Sequence, residues 1–132
     1  MPGPFIFVAT HRIQPGRLEA FSAAWRDLVD AVEAREPRLI AFNTYASEDG
    51  TEVTTIHVHP DVDSMLLHMQ VARETITDAY RDVLETTVSV QVFGTPNEAA
   101  RSMFAMLAGP GEPPPVFKPI HLGGFTRAAS AP

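Results

Sequence analysis

The stretch Thr54-Thr-Ile-His-Val-His-Pro-Asp-Val-Asp-Ser-Met-Leu-Leu-His68 carries three of the chain's five histidines, His57, His59 and His68. An imidazole titrates near neutral pH, so it can take a proton from a phenolic hydroxyl, return one, or ligate a divalent ion. Imidazoles at i and i+2 on a strand suit a metal, and Asp61 or Asp63 would add oxygen ligands. Strand alternation groups Val53, Thr55, His57 and His59 on one face and Thr54, Ile56 and Val58 on the other. Ile56 and Val58 are the apolar pair expected beneath the helices, so His57 and His59 are expected to point away from them, towards a cavity between subunits or its rim. His68 falls on a helix, about 60° from the mean direction of Met65, Ala72 and Ile76 at 100° per residue, and so borders that helix's apolar stripe. Because this arrangement divides the three histidines across the sheet, no metal is assigned.

The elements that must position these groups are legible as periodicities. Phe5 to Ile13 is β-rich and ends at Gln14-Pro15-Gly16. Leu18, Phe21, Trp25, Leu28, Val29 and Val32 recur at helical spacing, with Glu19, Arg26, Asp27, Asp30 and Glu33 opposite, and Pro37 closes that helix. Leu39 to Tyr45 and Glu52 to His59 flank Ser47-Glu48-Asp49-Gly50, an Asp-Gly hairpin signal that predicts antiparallel pairing. N-cap side chains in Pro60 to Ser64 precede a second amphipathic helix running through Met65, Met69, Ala72, Ile76, Tyr80 and Val83. Thr86 to Phe93 alternates into a fourth strand. The order is βαββαβ, an α+β, ferredoxin-like arrangement with an antiparallel sheet and helices on one face. Its other face would expose apolar surface, which predicts a partner sheet.

That frame occupies residues 1–94. Residues 95–132 form a C-terminal extension: a short helix within Asn97 to Leu107, the Pro-rich connector Gly109 to Pro115, and an extended arm from Val116 in which Pro119 restricts any strand to an edge. The arm is expected to pack on the domain or its dimer partner, and Ala128 to Pro132 to fray.

Composition limits the function. A net charge of −6 with no cluster of basic residues argues against nucleic acid and against a membrane surface. The absence of cysteine removes disulfides, thiolate zinc sites and thiol nucleophiles. The apolar run Phe5 to Ala9 is too short for a signal-peptide core and no 18-residue apolar stretch occurs, so a cytoplasmic location is expected.

The β-rich first strand, the Asp-Gly hairpin and the short strand feeding the second helix resemble the dimeric α/β barrel superfamily, and within it the antibiotic biosynthesis monooxygenase type of domain. The resemblance covers roughly residues 5 to 93. It implies a homodimer whose two sheets face each other, with a cleft between sheet and second helix in each subunit. It also implies cofactor-free oxygenation of phenolic or quinone-like small molecules, with no cofactor required. Haem-degrading members carry an asparagine, a tryptophan and a histidine where this chain has His11, the Leu67-His68 pair, and Ile76 and Tyr80, so haem degradation is not expected.

The expected cleft is lined by His11 and His68 as proton-transferring residues, with Asn43, Tyr45, His57 and His59 contacting a small aromatic ligand. Trp25, Met65 and Met69 are expected in the core. The alternative is a dimer without enzymatic activity, which binds a small molecule or is purely structural.

Overall fold

A computed structural model describes residues 3–127. Five strands form one mixed sheet in the order β2-β3-β1-β4-β5, from β1 (Phe5–Ile13), β2 (Ala41–Ala46), β3 (Glu52–His59), β4 (Leu84–Phe93) and β5 (Val116–Lys118). The first four pair antiparallel and β5 joins β4 in parallel, so the extension adds an edge strand to the ferredoxin-like frame.

Helix α1 (Leu18–Arg35) stops where expected, before Pro37. The hairpin between β2 and β3 turns on Gly50 at φ 73, a conformation glycine adopts without steric cost. Asp49 holds that turn by accepting bonds from the Ser47 hydroxyl (2.8 Å) and from Thr51 (3.1 Å to its backbone nitrogen, 2.7 Å to its hydroxyl).

The second helical segment departs from the sequence reading. Its continuous period is broken at Ile76 and Thr77, which divide it into α2 (Val62–Thr75) and α3 (Asp78–Val83). Thr77 is extended and its hydroxyl accepts from the Tyr80 backbone N–H, so a fresh N-cap restarts the chain in a new direction. Helix α4 (Glu98–Ala105) follows, capped by Asn97. Among the described residues no helix is long and apolar enough to cross a membrane.

All buried strand positions face one way. Phe5, Phe7 and Ala9 of β1, Val53, Thr55, His57 and His59 of β3, and Val90 and Val92 of β4 lie beneath the helices. Under α1 and α3, Ile13, Phe21, Trp25, Leu28, Val32, Val53, Val71, Tyr80 and Val83 form one core cluster. Under α2 and α4, Phe5, Phe7, Ala9, Met65, Val90, Val92, Ala100 and Phe104 form another. Phe104 is fully buried, with its ring centroid 5.6 Å from that of Phe7, so the segment after β4 contributes to the core. Trp25 is in the core as expected.

Candidate functional site

Between the two core clusters, β3 and α2 bring three imidazoles together. The ring centroid of His57 lies 4.4 Å from that of His68 and 5.7 Å from that of His59, and His59 is 5.8 Å from His68. All three are buried. The face assignment drawn from alternation is therefore reversed: His57 and His59 point towards the helices, and Thr54, Ile56 and Val58 lie half-exposed on the open face.

Packing explains the reversal. His57 sits among aromatic rings, 4.9 Å from Phe7 and 4.8 Å from Phe42 by centroid. A neutral imidazole is flat and polarisable enough to share that environment. His59 has a polar partner, its Nδ1 lying 2.7 Å from the Ser64 hydroxyl in the first turn of α2. Asp61 caps the same turn by accepting from the Ser64 backbone N–H at 3.0 Å, and Arg38 pairs with Asp61. The strand-to-helix corner thereby fixes the orientation of His59.

Burial holds two of these rings neutral. His57 is pushed well below the ordinary histidine range, first by loss of water and then by the neighbouring His68 and His59. His59 is lowered to about 3, again mainly by burial and next by His68, with the Asp61 carboxylate opposing. His57 Nδ1 and His59 Nε2 find no hydrogen-bond partner among the described residues. Such groups cost roughly 1–3 kcal/mol each when left unpaired in a dry interior.

His68 differs from the other two. Its Nδ1 lies 2.9 and 3.2 Å from the two carboxylate oxygens of Glu36, whose side chain is only 1% exposed. With Glu36 ionised, Nδ1 must carry the proton, because a carboxylate only accepts. Nε2 is then the nitrogen left for a ligand. Glu36 is the partner of His68 that the sequence reading missed. Its signal was present: Trp25, Leu28 and Val32 define the buried stripe of α1, and Glu36 lies one further turn along the line from Leu28 and Val32, a carboxylate at a core position.

His68 borders a cleft of about 620 Å³ framed by β1, α2 and α4, together with Phe7, Met65, Met69, Ala72, Arg73, Ile76, Met103, Met106 and Leu107. That size suits a small organic ligand. Met65 and Met69, expected as core, also form its wall. On the other side of the dyad, Glu36 borders a smaller cavity of about 270 Å³ with Val29, Glu33, Leu39 and Phe42. The Glu36–His68 pair thus touches two cavities at once.

The remaining expected residues are not assembled with His68. Asn43 and Tyr45 pair with Ile56 and Thr54 and share their open face, Tyr45 being 63% exposed. The alternation that turns His57 inward turns these two outward. His11 lies on β1 opposite Val53 and is absent from the cleft lining; its Nδ1 is 3.1 Å from the Thr87 hydroxyl. Burial lowers its pKa against the opposing charge of Glu112. Glu112 accepts from the Thr87 backbone N–H and, at 3.0 Å, from the Thr86 hydroxyl, beside the register shift that β4 makes between its partners Thr10 and His11. His11 belongs to that irregularity. Among the described residues no group of three histidine or acidic side chains is placed to hold a metal ion.

No protein-family model and no curated protein matches the sequence. Solved structures do. MupZ from Pseudomonas fluorescens is similar at 20% identity over 96% of this chain and 91% of its own, with a TM-score of 0.74. A candidate antibiotic biosynthesis monooxygenase from Nitrosomonas europaea is similar at 19% identity over 72% and 92%, TM-score 0.61. Another from Chloroflexus aurantiacus is similar at 12% identity over 68% and 90%, TM-score 0.57. The chain shares its fold with these structures, candidate antibiotic biosynthesis monooxygenases among them. A likeness that spans 96% of the chain includes most of the segment after β4, whereas coverage near 70% can be met by the βαββαβ frame alone.

Proposed function

We propose that the chain is an acid–base enzyme that binds an apolar small molecule in the cleft and exchanges a proton with it through His68, oriented by Glu36. The observation that carries this reading is the buried dyad at the cleft wall: a carboxylate 2.9 Å from Nδ1 fixes ring and tautomer and presents Nε2 to a bound molecule. His11 becomes a supporting residue of β1, whereas His57 and His59 are the neutral backing of His68. Asn43 and Tyr45 belong to the open sheet face, which we assign to a homodimer because Ile6, Val8, Ile56 and Val58 lie half-exposed there.

In its fuller form the reaction is cofactor-free oxygenation of a phenolic or quinone-like substrate. His68 removes a proton from a ring hydroxyl or an activated CH₂. The carbanion attacks molecular oxygen, and loss of water from the peroxide leaves a carbonyl, so that CH₂ and O₂ become C=O and H₂O. Candidate antibiotic biosynthesis monooxygenases among the structural neighbours support this form, and the dyad supports its first step.

The test has two arms. Absorbance of 4-nitrophenol titrated with the protein reports proton transfer on binding, and an oxygen electrode with polycyclic phenols and hydroquinones reports turnover. We expect bound phenolate in the native chain, lost in His68→Ala and reduced in Glu36→Gln. Unaltered phenol ionisation and unchanged binding in His68→Ala would overturn the proton-transfer reading. No oxygen uptake on the whole panel removes the oxygenase form.

A further inference from the structure

We infer that the molecule bound in this cleft is an amphipathic anion, whose apolar body lies along the methionine wall and whose carboxylate pairs with Arg73. The inference rests on the cleft being the substrate site and names the substrate's charge and shape.

Four methionines, Met65 and Met69 of α2 and Met103 and Met106 from and just after α4, line this single cleft. Unbranched thioethers form an adaptable apolar surface, suited to a hydrocarbon body of no fixed outline. Met106 is 84% exposed, an apolar side chain held at the rim without protein cover. Against this wall the lining carries one fixed charge, Arg73. It makes no ion pair among the described residues. Its sequence neighbour Glu74 is already engaged by Arg35 of α1 at 2.7 Å. An unpaired guanidinium beside apolar surface is a carboxylate partner, with donors arranged for bidentate pairing.

His68 and Arg73 are both on α2, five residues apart, about 7.5 Å along the axis and about 140° around it. The whole protein is acidic, with a net charge of −6, so this pairing is local recognition and not long-range attraction.

The experiment is calorimetric titration of the full chain with decanoate, decan-1-ol and decyltrimethylammonium, repeated on Arg73→Gln and Arg73→Lys. Decanoate is expected to bind at least about tenfold more tightly than the alcohol. Arg73→Gln removes the difference, and Arg73→Lys retains part of it. Equal affinity for decanoate and decanol in the native chain, or a preference that survives Arg73→Gln, overturns the inference. A carboxylate preference that persists when phenol ionisation is indifferent to His68 removes the acid–base reading alone, so the two failures are separable.

Discussion

The two core clusters lie on the same face of one sheet and are built differently. Beneath α1, Phe21, Trp25 and Tyr80 meet at centroid distances of 5.6 to 6.1 Å among aliphatic side chains. Burial raises the pKa of Tyr80 to about 12, the response of a phenol enclosed by apolar neighbours. Beneath α2 and α4, the packing is of phenylalanine and methionine and opens into the cleft. The dyad and the two neutral histidines occupy the seam. One cluster is closed, while the other gives up contacts for a space that can hold a small molecule.

The strongest way to test this division is Phe21→Ala. It removes a ring that is 2% exposed and is expected to cost about 3–5 kcal/mol in denaturant unfolding. Affinity for 4-nitrophenol should stay within twofold while the protein remains folded. A large loss of affinity would show that the clusters are not separable.

Acid should attack the seam next. The unfolded chain protonates its histidines below about pH 6.5, whereas folded His59 resists until about 3, so unfolding takes up a proton. Stability should be insensitive to this group above neutral pH and fall as pH drops, by about 1.4 kcal/mol per unit at most. His59→Asn, which can keep the bond to Ser64, should flatten that slope in melts at pH 7, 6 and 5. An unchanged slope would assign the acid sensitivity elsewhere.

A smaller effect is expected from Glu36→Ala, which leaves His68 Nδ1 without its acceptor. The cost should be about 1–3 kcal/mol. Nitrogen NMR should show His68 losing its single tautomer, and a retained Nδ1–H form would mean that Glu36 does not orient the ring. Least affected should be Asn43→Ala and Tyr45→Ser, with ligand affinity within twofold, since both side chains lie on the face away from the cleft. A larger change would return the open face to the site.

Much of the fold was legible because each signal is local. A glycine after an aspartate sets the hairpin, Asp61 and Asn97 announce helix starts, and Pro37 ends α1. The division of α2 from α3 was harder to see, since Thr77 sits within an unbroken apolar period and its capping role depends on the turn the chain takes there. His68 was legible as a boundary residue facing a cleft. His11 was grouped with it through the family resemblance, and Asn43 and Tyr45 through a shared strand face; the register places all three elsewhere.

The amino-acid sequence by itself determined the order of the four frame strands, the two-residue period of β3 and the place of His68 beside the α2 stripe, because side-chain spacing on one element depends on that element alone. It could not determine which face of β3 turns inward. Ile56 and Val58 are the more apolar pair yet turn outward, because what each face meets across the core decides its direction. Only the tertiary structure brought α1 against α2, placing Glu36 on His68 across 32 positions of chain and turning His57 and His59 in behind it. A carboxylate becomes the partner of a histidine through distance and burial, and both are properties of packed elements.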